Sequence, residues 1–112
     1  MDKKYRLRKN IEFKRVYNKG KNYWNGDLTL YVKKNGLRET RLGITITKKI
    51  GNAVVRNKIR RRIKEIYRLN HHRVKNGYDL IFIPKKNVVG LSYKELEKSL
   101  IHVLRMSGVL RR

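Results

Sequence analysis

Apolar residues recur along this chain at two different periods, and the changes of period divide it into elements. In residues 10–18, Phe13, Val16 and Tyr17 stand at i, i+3 and i+4, a spacing that gathers side chains on one side of a helix. Asn10 is placed to cap its start and Gly20 to stop it. Between residues 21 and 33 the pair Asn25-Gly26 separates two extended segments, which predicts a hairpin closed by a type I′ turn. In the second arm Leu28, Leu30 and Val32 alternate with Thr29, Tyr31 and Lys33. If the first set is core, Tyr31 points to the opposite face and is available to a ligand.

A loop over residues 34–40 leads to residues 41–47, where Leu42, Ile44 and Ile46 alternate with Gly43, Thr45 and Thr47; this is the clearest strand. Residues 78–84 form a later apolar strand closed by Pro84, and apolarity on both faces suits a central place in the sheet. The helical period returns with Val55, Ile59, Ile63 and Ile66, at spacings of four, four and three, behind Asn52 as cap. Ser92 and Glu95 make a capping box, with Leu91 and Leu96 as a hydrophobic staple, and Leu96, Leu100 and Val103 extend the stripe. The order αβββαβα predicts an α+β sandwich of helices on a mixed four-stranded sheet. No repeat or linker interrupts it and Pro84 is the one proline, so residues 1–112 are expected to form one domain.

Charge changes this picture from a fold to a function. Lys and Arg number 31 against 8 acids, a net charge of +23, while 39% of the residues are hydrophobic. The apolar share can build a core, so the charge does not imply disorder. Self-repulsion on this scale calls for a polyanionic partner, nucleic acid first and an anionic membrane surface second. No apolar run reaches the roughly 20 residues that span a bilayer, and the opening MDKKYRLRKN lacks a signal-like stretch; a cytoplasmic protein without a membrane partner is expected. Cysteine is absent, which excludes disulfides, thiolate catalysis and Cys-bound zinc.

Residues 48–64 hold eight basic side chains and no acid. At steps of about 100° the stripe is buried and Asn57, Arg61, Lys64 and Arg68 lie opposite it, with Arg56 and Arg60 on one shoulder and Lys58 and Arg62 on the other. Like-charge neighbours such as Arg56 and Arg60 each cost a few tenths of a kcal/mol, and Arg61 with Glu65 is the one pair at i, i+4 that offers relief. A face kept only for solubility would mix signs; one that excludes acids and prefers arginine fits a phosphate backbone.

Nothing in the chain reads as a protein active site. The acids Asp2, Glu12, Asp27, Glu39, Glu65, Asp79, Glu95 and Glu97 make no recognisable cluster, His71 and His72 are adjacent and so diverge on a helix, and His102 is isolated. Neither a catalytic nor a metal-binding residue is assigned. Tyr23 and Trp24 flank the turn, where a second stacking platform and edge packing are equally supported, and no site is assigned to them.

The string TKKIGNAVVRNKIRRRIKEIYR resembles the defining segment of the bacterial ribonuclease P protein family. The resemblance continues through the opening KKYRLRKNIEFKRVY, the arm LTLYV, the strand RLGITITKK and the closing helix SYKELEKSLIHVLR. Where that family most often has Arg-Asn-Arg, this chain has Arg56-Asn57-Lys58, keeping the charge of the third position but not its planar fork. The resemblance implies a left-handed crossover into the last strand, against the usual rule. It also implies binding of the catalytic RNA through Lys48, Lys49, Arg56, Asn57, Lys58, Arg60, Arg61, Lys64 and Arg68. It further implies a cleft for the single-stranded 5′ leader of precursor tRNA at Phe13, Tyr17 and Tyr31, where simple core packing is an equal reading for Phe13. Mg²⁺ would serve the RNA–protein complex and be held mainly by RNA, with no cofactor intrinsic to the chain and no protein partner required. The competing reading is a structural RNA binder, such as a small ribosomal or ribosome-associated protein.

Overall fold

The computed structural model describes residues 2–112; Met1, the first residue of the expected domain, lies outside the described residues. The sheet is built around β4 (Tyr78–Pro84), whose Leu80, Ile81 and Phe82 are fully buried. On one side β4 pairs antiparallel with β2 (Leu28–Lys34), which pairs in turn with β1 (Lys21–Trp24); on the other it pairs parallel with β3 (Arg41–Ile44). The order β1-β2-β4-β3 makes a mixed sheet, and the strand that is apolar on both faces takes a central place in it.

Three helices cover the two faces unequally. Leu30, Leu42, Leu80 and Phe82 join α2 (Ala53–Asn70) and α3 (Tyr93–Ser107) in the main core. On the opposite face α1 (Asn10–Lys19) buries Val16 with Leu7 and Ile81 in a second, smaller core, against which Phe13, Tyr17, Tyr31 and Ile83 are half-buried. The capping box of α3 forms as expected: Glu95 N donates to Ser92 Oγ at 3.1 Å and Ser92 N to Glu95 Oε1 at 2.9 Å.

Local geometry departs from the sequence reading at three places. The residue before α1 is Lys9, not Asn10, because the Glu12 carboxylate serves as the cap, accepting the backbone N–H groups of Arg8 and Lys9 at 2.9 Å each. The hairpin exists, but its turn is not type I′. Gly26 and Asp27 are its central residues and neither has positive φ. The Asn25 side chain replaces the usual turn carbonyl, its Oδ1 accepting from Asp27 N and Leu28 N at 2.9 Å each. Finally, β3 ends at Ile44 rather than at residue 47. Thr45 N still donates to Phe82 O at 3.0 Å, after which the chain leaves the sheet through a 3-10 turn, Lys48–Ile50, that buries Ile50 and delivers α2.

Candidate nucleic-acid interface

Helix α2 begins where its sequence says it should. Val55 N donates to Asn52 Oδ1 at 3.0 Å, and Ile59, Ile63 and Ile66 are buried with Tyr67, an addition to the predicted stripe. Burial raises the Tyr67 hydroxyl above the ordinary tyrosine range. With one side anchored, the basic residues have nowhere to point but outward. Asn57, Lys58, Arg61 and Arg68 are exposed, Arg56, Arg60 and Lys64 are half-exposed, and Lys48 and Lys49 project from the preceding turn.

Very little of this charge is neutralised internally. Among the described residues the ion pairs are Arg41 with Glu12, Arg41 with Asp79, and Arg68 with Glu65. Glu65 therefore turns to Arg68 at 2.7 Å and not to Arg61, as i, i+4 spacing suggested. The hydrogen bond between them lowers the Glu65 pKa and raises that of Arg68. Of the nine expected RNA-binding residues, Arg68 is thus the one whose charge is already matched. Arg56 gives one N–H to Gly51 O at 2.9 Å, and Arg60 gives one to Asn57 Oδ1 at 3.3 Å; both keep donors for a ligand.

The row Arg60 and Lys64 looks across a cavity of about 130 Å³ onto the sheet. Leu42, Gly43 and Ile44 form its floor, Leu7 and Phe13 its wall, and Arg6, Arg60 and Lys64 its cationic rim. Gly43 makes this possible: a Cβ there would lie 2.8 Å from Phe13 Cε2 and 3.0 Å from Leu7 Cδ1, so only a glycine lets the ring lie on the strand. Phe13 packs on the smaller core and also lines the cleft.

Tyr17 and Tyr31 meet edge to face, with centroids 5.0 Å apart and planes at 88°. The Tyr17 hydroxyl and Thr45 Oγ1 lie 2.6 Å apart, pinning one ring while Tyr31 is held by its strand. The cluster is braced from outside. Arg41, rooted in β3, donates to both oxygens of buried Asp79 and to Glu12 Oε2, each at 2.8 Å. It thereby ties α1, and the aromatic rings α1 carries, to the sheet. The hydrogen bond with Asp79 raises the Arg41 pKa, and the two backbone N–H groups hold Glu12 below the ordinary carboxylate value.

Sequence reasoning missed one residue of the cleft. Arg6 lines the cleft because Leu7 N donates to Leu42 O at 2.9 Å, laying the N-terminal segment along β3; Arg6 Nε is buried and makes no hydrogen bond. The signal was Leu7, an apolar residue isolated in a basic run. Trp24 separates from Tyr23: Tyr23 packs on the main core, whereas Trp24 is 60% exposed. Among the described residues no three His, Asp or Glu side chains converge as a metal site would require, and His71 sits half-buried between Tyr5 and Tyr67 while His72 is exposed. No helix is long and apolar enough to cross a membrane.

Comparison with known proteins places this geometry in company. A family model described as Ribonuclease P matches residues 1–108. The ribonuclease P protein component of Finegoldia magna is 50% identical over 108 residues, 96% of this chain and 95% of that one. The structure of the Staphylococcus aureus RNase P protein superposes with a TM-score of 0.89 at 35% identity, covering 96% of this chain and 98% of the other. The RNase P protein of Thermotoga maritima does so at 0.84 and 30% identity, over 90% and 96%.

Proposed function

This chain belongs to the bacterial ribonuclease P protein family, and from that premise we propose that the basic helix grips the catalytic RNA while the aromatic cleft holds the 5′ leader of precursor tRNA. The protein is a subunit of a ribonucleoprotein endonuclease that processes tRNA, its partner is the ribonuclease P RNA, and catalysis is carried by that RNA. Near full-length relatedness favours this role over that of a ribosomal-type RNA binder.

The observation that carries the detailed reading is the meeting of unlike surfaces. Arg6, Arg60 and Lys64 line one cleft with Phe13, and the edge-to-face pair Tyr17 and Tyr31 packs against the same small core as that ring. Phosphates draw to Arg60, Lys64 and Arg6 and release condensed counterions, while unpaired bases lie against Phe13, Tyr17 and Tyr31, each such stack contributing about 1 to 3 kcal/mol. Stacking reads any base, which suits a leader whose sequence varies between precursors. Lys48, Lys49, Arg56, Asn57, Lys58 and Arg61 face outward and are assigned to the RNA backbone, with Arg68 contributing less because Glu65 holds it. Residues 1–112 act as one RNA-binding domain, working in the cytoplasm and needing no further protein.

Mg²⁺ supplies charge neutralisation and water activation in hydrolysis of this kind. In this reading the ions belong with the RNA; among the described residues no three His, Asp or Glu side chains converge. The chain's own part is to lower the electrostatic cost of bringing two polyanions together. The test is cleavage of precursor tRNA by ribonuclease P RNA at low Mg²⁺, with and without this protein. Mature 5′ ends are expected only with both, together with tighter binding of leader-bearing than of mature tRNA. Equal affinity for the two substrates would remove the leader from the cleft.

A further inference from the structure

The one tryptophan of the chain is also its largest exposed ring. Trp24 is 60% exposed at the end of edge strand β1 and has no aromatic neighbour among the described residues. Strand alternation fixes its direction: Tyr23 packs into the main core, so Trp24 points to the other face of the sheet, the face of Tyr31. Its register completes the placement. Trp24 lies opposite Thr29, Thr29 opposite Ile83, and Thr45 N bonds to the adjoining Phe82 carbonyl. One row therefore crosses β1, β2 and β4 and reaches, just past the end of β3, the threonine that holds the Tyr17 hydroxyl, a span of about 14 Å at the usual strand spacing. Tyr31 stands diagonally from Trp24, roughly 7 to 8 Å away.

The exposed indole offers a large, flat apolar surface that a stacked base would remove from water. Its surroundings supply polyanion chemistry. Lys85 is fixed beside the hairpin, its Nζ donating to Asn25 O at 2.6 Å and its backbone N to Asp27 O at 2.8 Å. The carboxylate of Asp27, the acid in this turn, is itself engaged by Asn87.

We infer that Trp24 is a further stacking platform for the single-stranded 5′ leader, taking a base beyond those over Tyr17 and Tyr31 and so extending the cleft to the β1 edge. The inference rests on the leader reading of that cleft. It makes the protein sensitive to leader length: a short leader ends over the tyrosines, and only a longer one reaches the indole.

Because Trp24 is the sole tryptophan, fluorescence excited at wavelengths beyond tyrosine absorption reports this position alone. The protein is assembled with ribonuclease P RNA and titrated with precursor tRNAs whose leaders grow one nucleotide at a time, and with mature tRNA. Quenching is expected to begin only past a threshold leader length. Trp24→Ala should weaken binding of long-leader substrates by about 5- to 100-fold, leave short-leader and mature tRNA as in wild type, and be largely reversed in Trp24→Phe. Quenching of equal size with mature tRNA, or long-leader affinity unchanged in Trp24→Ala, would overturn the inference. Tyr31→Ala separates the two levels. If wild type prefers leader-bearing substrates and Tyr31→Ala weakens that preference while Trp24→Ala does not, the cleft stands and Trp24 falls; if wild type shows no preference, both fall.

Discussion

Gly43 shows how much one missing carbon can decide. The Phe13 ring lies where its side chain would be, so Gly43→Ala must either displace the ring or strain the strand. Overpacking of this kind costs about 1 to 3 kcal/mol. Chemical denaturation should show that loss, and substrate binding should show reduced preference for leader-bearing tRNA, because Phe13 carries α1 with it when it moves. Charge at single residues is just as unequal. Among the described residues Arg61 has no acidic partner, whereas Arg68 is paired with Glu65. Arg61→Ala should therefore reduce the slope of log affinity for ribonuclease P RNA against log salt by roughly 0.7 to 0.9, the share of one phosphate, and Arg68→Ala should reduce it by less. Equal slopes in both variants would contradict this division.

At the level of elements, α1 is a small helix with a large duty, and its attachment depends on a carboxylate. Glu12 caps the helix through Arg8 and Lys9 and joins it to the sheet through Arg41. Its pKa in the fold lies below its ordinary value of 4.5. A lowered pKa means that the stabilisation is fully present above 4.5 and is lost as pH falls through the folded value. Glu12→Gln should lose about 1 to 2 kcal/mol at neutral pH, and its stability should fall less steeply than wild type on the acid side, as denaturant midpoints measured from pH 7 to pH 3 will show. Helix α2 makes the opposite compromise. It accepts repulsion along Arg56, Arg60 and Lys64 and is held by Ile59, Ile63, Ile66 and Tyr67 from beneath, so packing offsets what its surface gives up to RNA.

For the whole molecule the relevant length is the reach of its own field. The protein measures 36 × 31 × 25 Å, and the screening length falls from about 30 Å at 0.01 M salt to about 10 Å at 0.1 M. At low salt every cation therefore feels most of the others, and a net charge of +23 opposes compaction. Added salt should raise the melting temperature of the free protein by several degrees, at about 4–8 °C for each kcal/mol gained, while weakening its complex with RNA. Thermal melts and binding isotherms over one salt series will show the two trends crossing; a melting temperature that falls with salt would mean the charges are mutually compensated.

The sequence alone determined what depends on near neighbours along the chain. The helical and strand periods, the caps Asn52 and Ser92, the apolar strand destined for the sheet interior and the acid-free face of α2 all follow from local spacing, because backbone geometry converts spacing into direction. The family resemblance supplied the cleft as an expectation, and the structure brings Phe13 to Arg60 and Lys64, and Tyr17 to Tyr31. Tertiary structure decided whatever turns on partners far away in sequence. Glu12 displaced Asn10 as the cap because Arg41 waits on β3, Asn25 built its own turn while its side chain also donates to Ser99 O on α3, and Arg6 entered the cleft by pairing beside Leu42. Tyr23 and Trp24, adjacent and both aromatic, part company because a strand sends successive side chains to opposite faces, and only the packing of α3 on one face and α1 on the other determines which is core and which is left exposed.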